Sequence, residues 1–203
     1  MDAIVLAALA RWPQVPDVYR WLMLDGRGRY RLRAADYASS GRFEVIGNTT
    51  MAEFIGRNYM SDERGRWYFQ NGPQRVFVHL AITPWVYRCE RGQLPCTHTG
   101  RIATRVEGLW IDDLARPILL TDIGPGAVDD RDLGHIHDSL TDGYGQSILD
   151  SSLEHWLALP QPGSLLFTWA GARHVVQPIN HVDLAVKFGF EADPAPPPAA
   201  GPT

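Results

Sequence analysis

The chain has 203 residues, 45% of them hydrophobic and 21% charged, and a formal net charge of −4. This length allows one large domain or two small ones, and the composition is that of a soluble globular protein. The charge argues against a nucleic-acid-binding protein, and no apolar run approaches the ~18 residues of a membrane helix. Met1-Asp2 supplies no positive charge before the apolar run 3–10, so we predict no signal peptide and a cytoplasmic location.

The first half of the chain predicts two β-hairpins separated by a helix. The expected elements are, in chain order, a helix over residues 3–12, a hairpin over 18–33, a short strand over 43–46, a helix over 51–59 and a hairpin over 66–80. Asn48, Thr49 and Thr50 are plausible N-caps for the second helix. The second hairpin carries the strongest signal, because Asn71-Gly72 between two β-prone runs favours a two-residue turn.

The second half predicts strands, two helices and a tail. The expected elements are a strand over 85–89, a loop over 90–100, a hairpin over 102–120, helices over 129–140 and 146–159, and strands over 165–169, 173–177 and 184–190. Gly124-Pro-Gly126 is expected to break the chain. The segment from Glu191 is Pro- and Ala-rich with almost no large apolar side chains, so we predict a disordered tail over 191–203.

Two segments of the chain resemble each other. Phe69, Arg75 and Val78 align with Phe167, Arg173 and Val176 at one constant offset, and Leu24-Asp25 resembles Ile111-Asp112. An ancient duplication would explain the match. Chance is the alternative, because antiparallel hairpins share composition and turn spacing.

These patterns predict an α+β fold, mainly antiparallel sheet with a few helices. A duplication would give two lobes related by a pseudo-two-fold, one over residues 1–100 and one over 101–190, which would pack as one compact domain or face each other across a groove. A single antiparallel sheet with helices on one face is the alternative.

One stretch resembles a known family. The motifs are Arg57-Asn58-Tyr59, Asp62-Glu-Arg-Gly-Arg-Trp67, Phe69-Gln-Asn-Gly-Pro-Gln-Arg-Val76 and Thr83-Pro84. They resemble a family of proteobacterial proteins of similar length, known only as a domain of unknown function, and the resemblance extends from about Val15 to Phe190. It implies a bacterial origin and one architecture for the family. It implies no activity, so no catalytic residue is carried over.

The end of the second hairpin is a candidate ligand site. Asn71, Gln74 and Arg75 combine amide and guanidinium groups, which can grip a carboxylate or phosphate. The repeat places Arg173 at the equivalent position, so the two arginines would bind one small anionic ligand if they faced a shared groove. The alternative is structural, with Gln74 and Arg75 tying down nearby carbonyls and carboxylates.

Cys89, Cys96 and His98 form a candidate metal site. Thiolates and imidazoles bind zinc or copper, but the spacing is not Cys-x2-Cys and a fourth ligand must come from elsewhere. A redox-sensitive disulfide and two unpaired thiols are the alternatives.

Four common catalytic motifs are absent from the sequence: a phosphate-binding loop, a dinucleotide-binding fingerprint, a nucleophile elbow and a His-Glu-x-x-His helix. We therefore expect a non-enzymatic module that binds a ligand or a protein partner. Part of the expectation rests on exposed tryptophans along predicted strands, since such residues dominate interfaces: Trp67, Trp85, Trp110 and Trp169. The alternatives are a small enzyme with an acid–base pocket of His, Asp or Glu between the lobes, and a metal-binding protein.

Overall fold

The computed structural model describes residues 1–161 and 163–197. The chain divides into two compact units, the first built from residues 1–25, 29–81 and the segment from Gly189, and the second from 26–28 and 82–188. The predicted boundary after residue 100 is therefore too late. Residues 82–100 join the second unit because their strands pair there.

The described part of the first unit is one six-stranded sheet with three helices. Its helices are α1 (Ala3–Arg11), α2 (Tyr37–Ser40) and α3 (Thr49–Arg57), and its strands are β1 (Val18–Leu24), β2 (Tyr30–Arg33), β3 (Phe43–Val45), β4 (Tyr59–Ser61), β5 (Trp67–Asn71) and β6 (Gln74–Leu80). The strand order is β3-β2-β1-β6-β5-β4. Only the central pair, β1 and β6, is parallel.

The packing of α3 on this sheet follows from its sequence. Asn48 caps the helix, its side chain accepting a hydrogen bond from the Met51 N–H at 3.0 Å. Ile55 is buried, and the ring of Phe54 meets Phe69 of β5 edge-on with centroids 5.4 Å apart. One of the three predicted N-caps is therefore confirmed, and the helix begins two residues before the predicted start.

Within its described residues, the second unit has nine strands in two sheets. Its helices are α4 (Leu133–His137), α5 (Asp150–Ala158) and α6 (Leu184–Phe188), and its strands are β7 (Trp85–Arg88), β8 (Cys96–Thr97), β9 (Val106–Asp112), β10 (Pro117–Thr121), β11 (Gly124–Val128), β12 (Leu140–Asp142), β13 (Leu165–Trp169), β14 (Ala172–Val175) and β15 (Gln177–Ile179). The strand orders are β15-β9-β10-β11-β7-β8 and β12-β13-β14. Short 3-10 turns cover Asp130–Asp132 and His181–Asp183.

The two units repeat one order of neighbouring strands. In the second unit β11, β10 and β9 are adjacent, as β3, β2 and β1 are in the first. The two short strands β14 and β15 together correspond to β6 of the first unit. β14 pairs with β13 and β15 runs parallel to β9, just as β6 pairs with β5 and runs parallel to β1. The mainly antiparallel α+β prediction is confirmed.

A turn with one hydrogen-bonding pattern occurs four times among the described residues. The first residue is an aspartate, and its carboxylate accepts from the backbone N–H four residues later; the pairs are Asp25 with Arg29, Asp62 with Arg66, Asp112 with Arg116, and Asp142 with Gln146. In the three arginine turns the guanidinium also donates to the same carboxylate. The aspartate therefore fixes both the turn and the strand that follows.

Ala115 occupies the strained position of one of these turns. Its φ is 58°, whereas the equivalent residues of the other turns are Gly28, Gly65 and Gly145. A Cβ in this left-handed region costs on the order of 1 kcal/mol. We expect Ala115→Gly to raise the free energy of unfolding by up to about 1 kcal/mol in urea denaturation. Ala172→Gly, in an extended strand, is the control and should lower it.

Three other predictions are wrong. Gly124–Val128 is a strand, because only glycine at 126 admits the Tyr87 ring, which would lie 2.5 Å from an added Cβ. Residues 184–190 contain a helix rather than a strand, with Leu184 buried and Val186 exposed.

The tail prediction fails over 191–193, where Glu191 donates to the Gly65 carbonyl and Ala192 accepts from Leu80. Residues 198–203 lie outside the described part of the chain.

Candidate functional site

The first unit carries an apolar groove on its sheet. The groove has a volume of about 430 Å³ and lies between the strands β1, β2, β5 and β6 and the helix α3. Its lining residues are Val18, Trp21, Leu22, Leu32, Met51, Ile55, Phe69, Asn71, Gln74 and Val76. All but two of these are hydrophobic, and the two polar ones are amides.

The groove has a buried floor and an exposed edge. Leu22, Ile55 and Phe69 form the floor, each at most 6% exposed. Trp21 and Met51 stand at the edge with 51% and 41% of their surfaces exposed. A tryptophan held half out of a core leaves much apolar surface for a ligand to cover.

A β-bulge directs Trp21 towards the groove. The pairing of β1 with β6 shifts register between Val18 and Leu22, and Arg20 within the shift has a φ of 61°. In a regular strand Trp21 and Leu22 would point to opposite faces, whereas both line the groove here. Bulges of this kind re-aim side chains beside functional sites, and a strained non-glycine residue is a frequent companion.

Two of the predicted ligand-binding residues lie on this groove. Asn71 and Gln74 form the last pair of the β5–β6 hairpin, so the turn is Gly72-Pro73 and not the predicted Asn71-Gly72. The shift keeps Pro73, which has no N–H, out of the ladder, while Gly72 supplies the positive φ of 57°. The Gln74 amide donates to the Pro16 carbonyl at 3.0 Å, which fixes the side chain.

The two predicted arginines do not join the groove. Arg75 extends over the ring of Tyr68, with its guanidinium carbon 5.0 Å from the ring centroid. Arg173 is an exposed residue of β14 in the second unit, opposite Thr168. Asn71 and Gln74 are therefore brought together with apolar residues and with neither of the two predicted arginines.

The three predicted metal ligands are not gathered around one point. Cys96 pairs with Arg88 across the β7–β8 ladder, so Cys89 points to the opposite face from Cys96. Both cysteines are free, and burial raises the pKa of the Cys89 thiol. His98 accepts a hydrogen bond from the Val86 N–H at Nδ1. Among the described residues, no three His, Cys, Asp or Glu side chains form a group that could hold a metal ion.

The tryptophans singled out from the sequence belong mostly to the cores. Trp85, Trp110 and Trp169 are buried, and Trp67 is half-buried. Sequence analysis did not predict the groove residues Trp21, Met51 and Leu32. They belong to three different elements, and no local sequence pattern shows that these elements lie close together. The sequence did contain one sign of the groove. A strand with one face in water alternates polar and apolar residues, whereas Trp21-Leu-Met-Leu24 is continuously apolar.

Comparison with known proteins identifies a family but no activity. The sequence model of a family described as "Protein of unknown function (DUF2946)" matches residues 1–195. Among curated proteins, none matches the chain. The crystal structure of a DUF1285 family protein from Silicibacter pomeroyi DSS-3 is similar in fold, with a TM-score of 0.51 and 13% identity over 87% of this chain and 96% of that one.

The helices are all short. Within the described residues, none has the length and apolar character that crossing a bilayer requires.

Proposed function

This chain belongs to the family described as proteins of unknown function (DUF2946), and we propose that it is a non-enzymatic binding protein whose ligand site is the apolar groove of the first unit. The single observation that carries the proposal is the bulge at Arg20, which holds a half-exposed Trp21 beside an otherwise well-packed floor. Unlike the equally exposed Trp12, Trp21 stands beside a buried apolar floor.

The lining defines the chemistry of the ligand. A groove of about 430 Å³ is within the ~300–1,000 Å³ range of small-molecule sites, which combine apolar walls with a few fixed polar groups. Asn71 and Gln74 are those groups here, and both are neutral. We therefore propose a small, mostly apolar molecule with one hydrogen-bonding end as the occupant.

The test uses N-phenylnaphthylamine, a neutral apolar probe whose fluorescence increases when it leaves water. We expect saturable binding to the wild-type protein. Trp21→Ala and Met51→Ala should each weaken binding about fivefold or more if both are anchors of the site, because truncating a central anchor costs more than ~1 kcal/mol.

Trp12→Ala is the matched control. Trp12 is 50% exposed, almost the same as Trp21, but it lies after α1 and does not line the groove. Equal affinities in the Trp12 and Trp21 variants would contradict the proposal, because the probe would then bind elsewhere.

We extend the proposal to origin and location. The matching order of strands in the two units supports an ancient duplication, and the family resemblance of residues 57–76 supports a bacterial origin. Two free cysteines support a reducing compartment such as the cytoplasm, where thiols stay unpaired.

A further inference from the structure

The β5–β6 hairpin of the groove has a residue-by-residue counterpart in the second unit, the β13–β14 hairpin. Each hairpin has a two-residue turn, closed by Asn71 with Gln74 in the first unit and by Trp169 with Ala172 in the second. From this closing pair backwards, the two ladders have the same register. Trp169 therefore stands at the position that Asn71 has in the groove.

The other hairpin of the groove matches in the same way. Leu22 faces Leu32 across β1 and β2, as Leu109 faces Leu119 across β9 and β10. The parallel pairs β1–β6 and β9–β15 agree as well, because the two hairpin matches together give the register that β9 and β15 have. Three strand pairings therefore lead to one correspondence of residues.

The position that corresponds to the groove is filled in the second unit. Leu109, Leu119 and Phe167 on this surface of the sheet are each 0% exposed, whereas Leu32 in the first unit is 37% exposed. Trp169 is 3% exposed, and its ring lies 22° from parallel to that of Phe167, with centroids 5.8 Å apart. The second unit thus carries an indole beside its phenylalanine where the first unit has only a short amide.

Trp21 does not take the place of this indole in the first unit. It stands at the edge with 51% of its surface exposed, and about 430 Å³ stays open beside it. The guanidinium carbon of Arg33 lies 5.5 Å from the Trp21 ring centroid, but Arg33 does not line the groove. The space beside Phe69 is therefore left for a ligand.

The polar groups indicate what the ligand carries. In the second unit the indole N–H of Trp169 donates to the Gln93 carbonyl at 2.8 Å. In the groove, Gln74 Nε2 donates to the Pro16 carbonyl at 3.0 Å, which leaves the Gln74 Oε1 to accept. All residues that line the groove are uncharged. The groove therefore suits a neutral aromatic ring with one N–H.

Building on the proposed binding function of this groove, we propose that its ligand is a neutral, planar aromatic molecule of the indole type. The ring lies on Phe69 beside the short side chain of Asn71, and its N–H donates to the Gln74 Oε1. The ligand thereby supplies to the first unit the indole that Trp169 supplies to the second.

The first experiment measures how three molecules of similar size displace N-phenylnaphthylamine from the full-length protein. Indole has the ring and the N–H, benzofuran has an oxygen in place of the N–H, and cyclooctanol has no aromatic ring. We expect indole to bind about fivefold or more tightly than benzofuran, because its donor meets a fixed acceptor, and cyclooctanol to bind most weakly. Gln74→Met removes the acceptor and should make the affinities for indole and benzofuran equal.

The second experiment fills the groove from within. Asn71→Trp places an indole where the second unit has Trp169, so it should weaken N-phenylnaphthylamine binding about tenfold or more without lowering the Tm. Arg75→Trp is the matched control. It adds the same side chain at a neighbouring position of the hairpin that does not line the groove, so binding should stay unchanged.

The proposal is overturned if indole displaces the probe no better than cyclooctanol. A folded Asn71→Trp variant that binds the probe like the wild type also overturns it. If the probe still responds to Trp21→Ala in either case, the groove binds another class of ligand and the proposed function stands, whereas a probe that does not bind the wild-type protein removes both. Thermal unfolding shows whether each variant is folded, and if Asn71→Trp is not, the displacement series decides alone.

Discussion

Replacing Asp132 by alanine is expected to lower the free energy of unfolding by about 2 kcal/mol, because a buried backbone N–H loses its acceptor. Asp132 is 4% exposed, and its Oδ2 accepts from Arg88 Nε at 2.7 Å and from the Cys89 N–H at 2.8 Å. Its Oδ1 accepts from Arg88 Nη2 at 3.2 Å. The substitution leaves the buried Cys89 N–H without its acceptor, whereas water can solvate the Arg88 guanidinium, whose side chain is 43% exposed. Urea denaturation measures the loss.

Asp130→Ala is the matched control for this prediction. Asp130 is in the same 3-10 turn and also pairs with an arginine, Arg27, at 2.7 Å. Both side chains of that pair are about half exposed, so water replaces the lost contact and little stability should change. Losses of equal size in the two variants would show that the buried hydrogen bonds of Asp132 are not what stabilises this region.

The hairpins could be predicted from the sequence because their information is local. Asp25 and Asp112 both precede a turn that they hydrogen-bond themselves, and this pattern is visible in the chain. The β11 strand was not predictable in the same way. Glycine disfavours strands locally, and Gly126 lies in one only because Tyr87 packs against its bare backbone.

The candidate site was predictable only in part. Asn71 and Gln74 were identified because a hairpin end is easy to locate, and both line the groove. Their predicted partner Arg75 points elsewhere, since a neighbouring Tyr68 ring offers it a cation–π contact. Trp21 reaches the groove through a bulge whose register depends on pairing with a distant strand. Such long-range register is not encoded in any short window of sequence.

The second unit is expected to lose stability on mild acidification because of His98. Its Nδ1 accepts a hydrogen bond from the Val86 N–H at 3.3 Å, and its ring packs against Trp85 with centroids 5.7 Å apart. Gly28 approaches so closely that an added Cβ would be 2.5 Å from the His98 Cβ. Burial lowers the pKa of His98 to about 3, because the charged imidazolium would lose its water.

The direction of the pH effect follows from the two pKa values. In the unfolded chain a histidine has a pKa near ~6.5. The folded pKa is lower, so the stabilisation is complete above about pH 6.5. It falls as the pH drops towards 3, because the unfolded chain takes up a proton that the folded protein does not. Each pH unit in this window costs about 1.4 kcal/mol, which gives roughly 2.5 kcal/mol between pH 7 and pH 4.5 because the loss begins near pH 6.5.

Urea denaturation of the wild-type protein and of His98→Gln at pH 7 and pH 4.5 isolates this contribution. Glutamine keeps an acceptor for the Val86 N–H but cannot be protonated in this range, so the variant should lose about 2.5 kcal/mol less on acidification. Carboxylates contribute equally to both proteins and cancel in the comparison. A His98 ring that titrates near pH 6.5 by NMR in the folded protein would contradict the prediction, since folding would then not exclude the proton.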